Sequence, residues 1–167
     1  QLLVFPTGQA WHKARQPSPA QHRVAMAQLA FADLPKAQVD ARETLRPGAT
    51  YTIDTLNELL AENPCAELFL LMGADQFQAF GHWHRWQDIA KIATICIAAR
   101  ATSVSAQGQN STQNTTQTAC KIELIDMPAM GASATDLRGR LRQGLRYDHL
   151  VNTEVARYIA QHQLYST

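Results

Sequence analysis

The sequence predicts an α/β fold built on a parallel sheet with helices on both faces, and three observations predict it. Runs that are apolar nearly throughout, such as Leu2-Leu3-Val4-Phe5 and Ile92 to Ala98, suit strands buried on both sides. Stretches with apolar residues at helical spacing stand between such runs. The two kinds alternate along the chain, the order that a parallel sheet with crossover helices requires. With 167 residues, 46% of them hydrophobic, the chain is expected to form a single domain over 1–167.

The elements follow in order. Leu2 to Phe5 reads as a strand closed by Pro6 and Gly8, and a basic loop from Trp11 to Arg15 comes next. Ser18-Pro19-Ala20-Gln21 predicts a helix start with Ser18 as N-cap, running to about Ala32 with Ala25, Leu29 and Ala32 on one face. Gln38 to Ala41 predicts a short strand and Pro47-Gly48 a turn. A second helix starts near Thr50 to Thr52, carries Ile53, Leu56 and Leu60 on one face, and stops at Asn63-Pro64. Glu67 to Met72 is a strand with Gly73-Ala74-Asp75 at its carboxyl end. Two short helices flank an aromatic loop from Trp83 to Trp86, and Ile92 to Ala98 is a further strand. Thr102 to Thr118 is polar and low in complexity, the composition of a flexible loop. Ile122 to Ile125 is a strand, Ser133 opens a helix to about Arg142, and Val151 to His162 is a terminal helix facing inward with Val151, Val155 and Ile159.

Composition narrows the function classes. Charged residues make up 17% and the formal net charge is +1, so no field is available to hold nucleic acid by backbone charge alone. Basic residues gather in two places, His12, Lys13, Arg15 and Arg23, then Arg138, Arg140, Arg142 and Arg146. Two such spots suit a small anionic ligand, and equally a pair of solvated faces. Cys65, Cys96 and Cys120 are odd in number and lack metal-site spacing. His82 and His84 form an HxH pair with no evident third ligand, so no metal site is expected. No stretch reads as a signal peptide or a bilayer span; the expected compartment is the cytoplasm, with no membrane partner.

The most informative segment is Ser133-Ala134-Thr135-Asp136-Leu137-Arg138. Ser133 can cap a helix with Asp136 in the capping-box position. The free N–H groups of that helix start, its positive dipole end and the forked cation of Arg138 are the parts of a phosphate site. An ordinary N-cap beside a surface arginine accounts for the same residues. Similar alternatives stand beside other positions: Asp75 as a helix N-cap, Trp83 as a packing aromatic, Thr52 and Thr55 as caps. In parallel sheets, however, ligands bind beyond the carboxyl ends of the strands, and Pro6 to Arg15, Gly73 to Asp75 and the approach to Ser133 all fall there.

Four segments stand in order: Phe5-Pro6-Thr7-Gly8-Gln9-Ala10-Trp11-His12-Lys13, Tyr51-Thr52-Ile53-Asp54-Thr55-Leu56, Gly73-Ala74-Asp75 with Trp83, and Ser133 to Arg138. The arrangement closely resembles the bacterial nicotinate mononucleotide adenylyltransferases, over nearly the whole chain. The resemblance implies a Rossmann-like nucleotidyltransferase fold and transfer of AMP from ATP to nicotinate mononucleotide. It implies that Ser133, Thr135 and Arg138, with His12 and Lys13, hold ATP phosphates. Gly73 and Asp75 would meet a ribose, the glycine by close approach and the carboxylate by accepting from the diol. Trp83 would stack on the pyridine ring, and Thr52 would line the pocket where backbone N–H groups read the carboxylate. Mg²⁺ would accompany ATP, bound through phosphate oxygens and water.

The chain departs from the family in several places. Ala10 and Trp11 stand where two prolines usually precede the basic pair, His84 where a second aromatic often follows the tryptophan, and Ala132 after Gly131 where a branched apolar residue precedes Ser133. The family's His-x-Gly-His signature, with its first strand and glycine-rich turn, does not occur in these residues. The sheet is therefore expected to lack its first strand, and the chain as written to lack efficient catalysis. A non-catalytic dinucleotide-binding module and a sister adenylyltransferase with another phosphate acceptor are the alternative readings.

Overall fold

The computed structural model describes residues 1–9, 18–100, 120–128 and 133–165. They divide into two compact units, Gln1–Thr50 with Met130–Thr167, and Tyr51–Ala129. The strands hydrogen-bond in two parallel sets, a pair in the first unit and three in the second.

In the first unit β1 (Leu2–Val4) pairs with β2 (Ala37–Val39), Leu2 opposite Ala37 and Val4 opposite Val39. β2 lies earlier than the expected 38–41, because Asp40 turns the chain. Its carboxylate accepts from the Arg42 backbone N–H at 2.9 Å and from Arg42 Nε at 2.8 Å, opening the short helix α2 (Arg42–Leu45). Four residues carry too little periodicity for that helix to be foreseen. Helix α1 (Ala20–Phe31) starts one residue later than a Ser18 cap requires. Pro19 is the N-cap, and the Ser18 carbonyl instead accepts from Arg23 Nε at 2.9 Å. The same guanidinium reaches the Thr7 carbonyl with Nη1.

Later in the first unit come α6 (Ala134–Arg142) and α7 (Thr153–Gln161). α6 ends where Gly144 takes φ +66°, letting the Leu145 N–H return to the Arg140 carbonyl at 2.9 Å. α7 buries Val155 and Ile159 as expected, but Val151 lies outside it. Asn152 caps the helix by accepting from the Glu154 N–H at 2.8 Å, so the helix begins after the valine. α7 packs on α1, where His22 Nδ1 and the Tyr158 hydroxyl meet at 3.0 Å.

The second unit orders β3 (Leu68–Gly73), β4 (Ala93–Arg100) and β5 (Ile122–Met127) side by side. Leu70, Ile95 and Ile122 stand in one cross-strand row, and Met72, Ile97 and Leu124 in the next along the same face. Against that face pack Ile53 and Leu56 of α3 (Thr52–Glu62), Phe80 of a 3₁₀ turn after α4 (Ala74–Gln78), and Ile89 of α5 (Trp86–Ile92). Ile53, Phe80, Ile89 and Ile95 are fully buried, each stabilising the unit by roughly 1.5–3 kcal/mol. Leu59 is buried and Leu60 only partly, so the inward face of α3 is turned one residue from the expected one. Phe69 and Leu71 alternate to the opposite face, where both are exposed, so β3 is buried on one side and not on the two that an apolar run leads one to expect. Among the described residues no helix is long and apolar enough to cross a membrane.

Candidate active site

Each unit carries part of the expected constellation. In the first, Ser133 is the N-cap of α6, and its Oγ accepts the Asp136 N–H at 3.0 Å. The reciprocal half of a capping box is not made, because the Asp136 carboxylate binds Arg140 Nε at 3.2 Å, one turn on. The N–H groups of Ala134 and Thr135 are left as the orphan donors of the first turn. Arg138 makes no hydrogen bond or ion pair among the described residues, whereas Arg140 and Arg146 are engaged by Asp136 and Asp148. The helix start therefore offers two backbone donors, two hydroxyls and an uncommitted guanidinium. His12 and Lys13, expected beside the phosphates, lie outside the described residues.

The segment leading toward that pair is described as far as Gln9. Gly8 passes so close to α2 that a Cβ would stand 2.1 Å from the Glu43 carbonyl oxygen and 2.4 Å from Thr50 Oγ1. The Thr50 hydroxyl donates to the same carbonyl at 3.4 Å, and the Thr50 N–H donates to Gln9 at 3.1 Å. Packing against these groups, more than turn conformation, makes glycine necessary here.

In the second unit Gly73 is the last residue of β3 and Asp75 lies in the first turn of α4, at the carboxyl end of a parallel strand. Gly73, not Asp75, is the N-cap, so the carboxylate is not consumed by capping. It is exposed and folds over the glycine, with Oδ1 only 2.7 Å from where a Gly73 Cβ would sit. Gln76 donates to its other oxygen at a long 3.5 Å.

Thr52 is the first residue of α3, and Tyr51 is the N-cap with no side-chain cap, so Thr52 does not serve as the cap. Trp83 is half-buried, edge-on to Phe80 with ring centroids 5.7 Å apart. Tyr51 and His84, the chain neighbours of Thr52 and Trp83, lie ring against ring at 4.2 Å. The start of α3 and the tryptophan loop thus meet at one place. That pairing was not foreseen; the available signal was that each ring adjoins a residue already expected in one pocket. Among the described residues no cluster of three metal-binding side chains occurs, and His82 and His84 are no exception.

The cytidylyltransferase-like family matches residues 1–140, which defines the chain as a nucleotidyltransferase by class. A relative from Albidiferax ferrireducens, named "Probable nicotinate-nucleotide adenylyltransferase", is 50% identical over 167 residues, covering 100% of this chain and 83% of its own. One of the same name from Leifsonia xyli subsp. xyli is 34% identical, covering 99% and 78%. The chain belongs to the nicotinate-nucleotide adenylyltransferase family. The fold agrees with that of the Plasmodium falciparum nicotinic acid mononucleotide adenylyltransferase complexed with NaAD. The TM-score is 0.70 at 16% identity, over 98% of this chain and 81% of the other. The structure of the same enzyme complexed with APC gives 0.68 at 16% identity.

Proposed function

We propose that this chain transfers AMP from ATP to nicotinate mononucleotide, yielding deamido-NAD and pyrophosphate, a step of NAD synthesis. The observation that carries the reading is the 50% identity, over the whole chain, to a relative bearing that activity's name. The mononucleotide 5′-phosphate oxygen attacks the α-phosphorus of ATP. A bond forms between them as the bond from α-phosphorus to the bridging oxygen breaks, and that oxygen leaves with pyrophosphate. No protein nucleophile is required, so the chain's work is positioning and stabilisation of phosphoryl charge.

Roles for individual residues follow from chemistry and placement. Ser133, Thr135 and Arg138 hold phosphate oxygens, supported by the orphan N–H groups at the start of α6 and by an Arg138 guanidinium without a partner among the described residues. His12 and Lys13 add cations to the same group. Asp75, free of capping duty, accepts from a ribose diol, and Gly73 leaves room for that carboxylate and for the sugar. Trp83 stacks on the pyridine ring and Thr52 contributes to the pocket that reads the carboxylate. Mg²⁺ enters as part of the substrate Mg–ATP, with phosphate oxygens and water as its ligands; the residues above supply donors and cations to the phosphates, which suits that mode.

The test is pyrophosphate release on mixing the protein with Mg–ATP and nicotinate mononucleotide. Release that requires both substrates, at a slow rate because these residues hold no His-x-Gly-His signature, is the expected result. Binding of deamido-NAD without release would favour a dinucleotide-binding module. Release with a different phosphate acceptor in place of the mononucleotide would favour a sister adenylyltransferase.

A further inference from the structure

We propose that Tyr51 and His84 are positioning residues for the pyridine end of the site, acting as one ring pair that sets the spacing between Thr52 and Trp83. The proposal rests on the reading that those two residues hold the nicotinate ring. The Tyr51 and His84 ring centroids are 4.2 Å apart and the planes are inclined by 35°. Each ring belongs to the chain neighbour of its client, one Cα step of about 3.8 Å away. The Trp83 side of the loop is fixed independently: its N–H donates to the Phe80 carbonyl at 2.9 Å, and its carbonyl accepts from Trp86 at 3.2 Å. What remains to be set is the approach of α3 to that loop, and Tyr51, its N-cap residue, makes the contact.

The chain is bent to allow this. Arg85 adopts φ +53°, a left-handed conformation uncommon for a residue with a side chain. The bend sends His84 outward onto Tyr51 while Trp86 turns inward, edge-on to Phe80 at 5.9 Å. Arg85 Nε is held by the Asp88 carboxylate at 2.9 Å, which keeps its cation committed rather than free beside the pocket. His84 is exposed, so its ring contact contributes little to the core. A left-handed turn that directs an exposed ring onto the residue before Thr52 is accounted for by positioning.

Equilibrium titration of the full chain with nicotinate mononucleotide, and separately with a non-hydrolysable ATP analogue, tests this. Tyr51→Ala and His84→Ala are each expected to weaken mononucleotide binding about tenfold, with the double variant no worse than either single. Affinity for the ATP analogue should stay within about twofold, and Tyr51→Phe and His84→Phe should retain wild-type affinity for both ligands. Unchanged mononucleotide affinity in the alanine variants, or additive losses in the double, overturns the proposal while leaving the functional reading intact. Failure of the wild-type chain to bind nicotinate mononucleotide overturns that reading and the proposal with it. Should Tyr51→Ala not fold, the exposed His84→Ala together with His84→Phe decides the matter.

Discussion

Asp75 Oδ1 lies 2.7 Å from the position that a Cβ on Gly73 would occupy. The glycine is in extended backbone that any residue could adopt, so the demand for it is steric. The obstacle is the tip of an exposed, rotatable side chain, which can swing away cheaply. Gly73→Ala should therefore leave thermal stability nearly unchanged while displacing the carboxylate expected to hold a ribose. We expect roughly tenfold weaker nucleotide binding, about 1.4 kcal/mol, with melting unaltered. Retained affinity in a titration would remove Asp75 from the ribose site.

Gly8 offers the contrasting case. Its missing Cβ would meet the Glu43 carbonyl at 2.1 Å, and backbone cannot rotate aside. Gly8→Ala is expected to destabilise the protein by about 1–3 kcal/mol or more, as overpacking does. A chemical denaturation curve that coincides with wild type would show that the segment leading from β1 moves freely against α2.

Acid sensitivity should trace partly to Asp40. The Arg42 hydrogen bond, aided by the nearby Arg46 charge, holds the Asp40 carboxyl below its ordinary value, against the opposing effect of burial. A depressed folded-state value contributes stability that is present above the unfolded value and is lost as pH falls through the folded one. Asp40→Asn should be less stable than wild type at neutral pH by about 1.5–3 kcal/mol, the scale of a hydrogen bond to a charged group. The gap should close on acidification; a gap independent of pH would contradict the assignment.

Thiol chemistry separates the three cysteines. Burial raises Cys96, with the Glu123 carboxylate adding to it, and burial alone raises Cys120, whereas Cys65 is exposed. Alkylation under native conditions, read by peptide mass spectrometry, should modify Cys65 first and Cys96 last. Early modification of Cys96 would mean that β4 opens readily.

Much of this architecture is legible from short-range spacing. Ser133 three residues before Asp136 anticipates the cap on α6, and the apolar run from Leu68 to Met72 anticipates a strand with two apolar faces. Spacing failed where a side chain had competing partners. Asp136 left the capping box for Arg140, Ser18 yielded the N-cap to Pro19, and Asp40 ended β2 early to open α2. Leu59 of α3 is buried where Leu60 was expected, a rotation of the helix that propensity does not encode.

By itself the sequence determined the residue types, their order and the periods of the strands and helices, because backbone sterics and local hydrogen bonds act over a few residues. It also determined the family, since four short segments in order are read without coordinates. Only the tertiary structure decided that Tyr51 meets His84, that Gly8 lies against Glu43 and Thr50, and that Asp75 folds over Gly73 free of capping. The first two contacts join residues more than thirty positions apart. Close packing selects such pairs only after the strands and helices have assembled, and no local spacing carries that information.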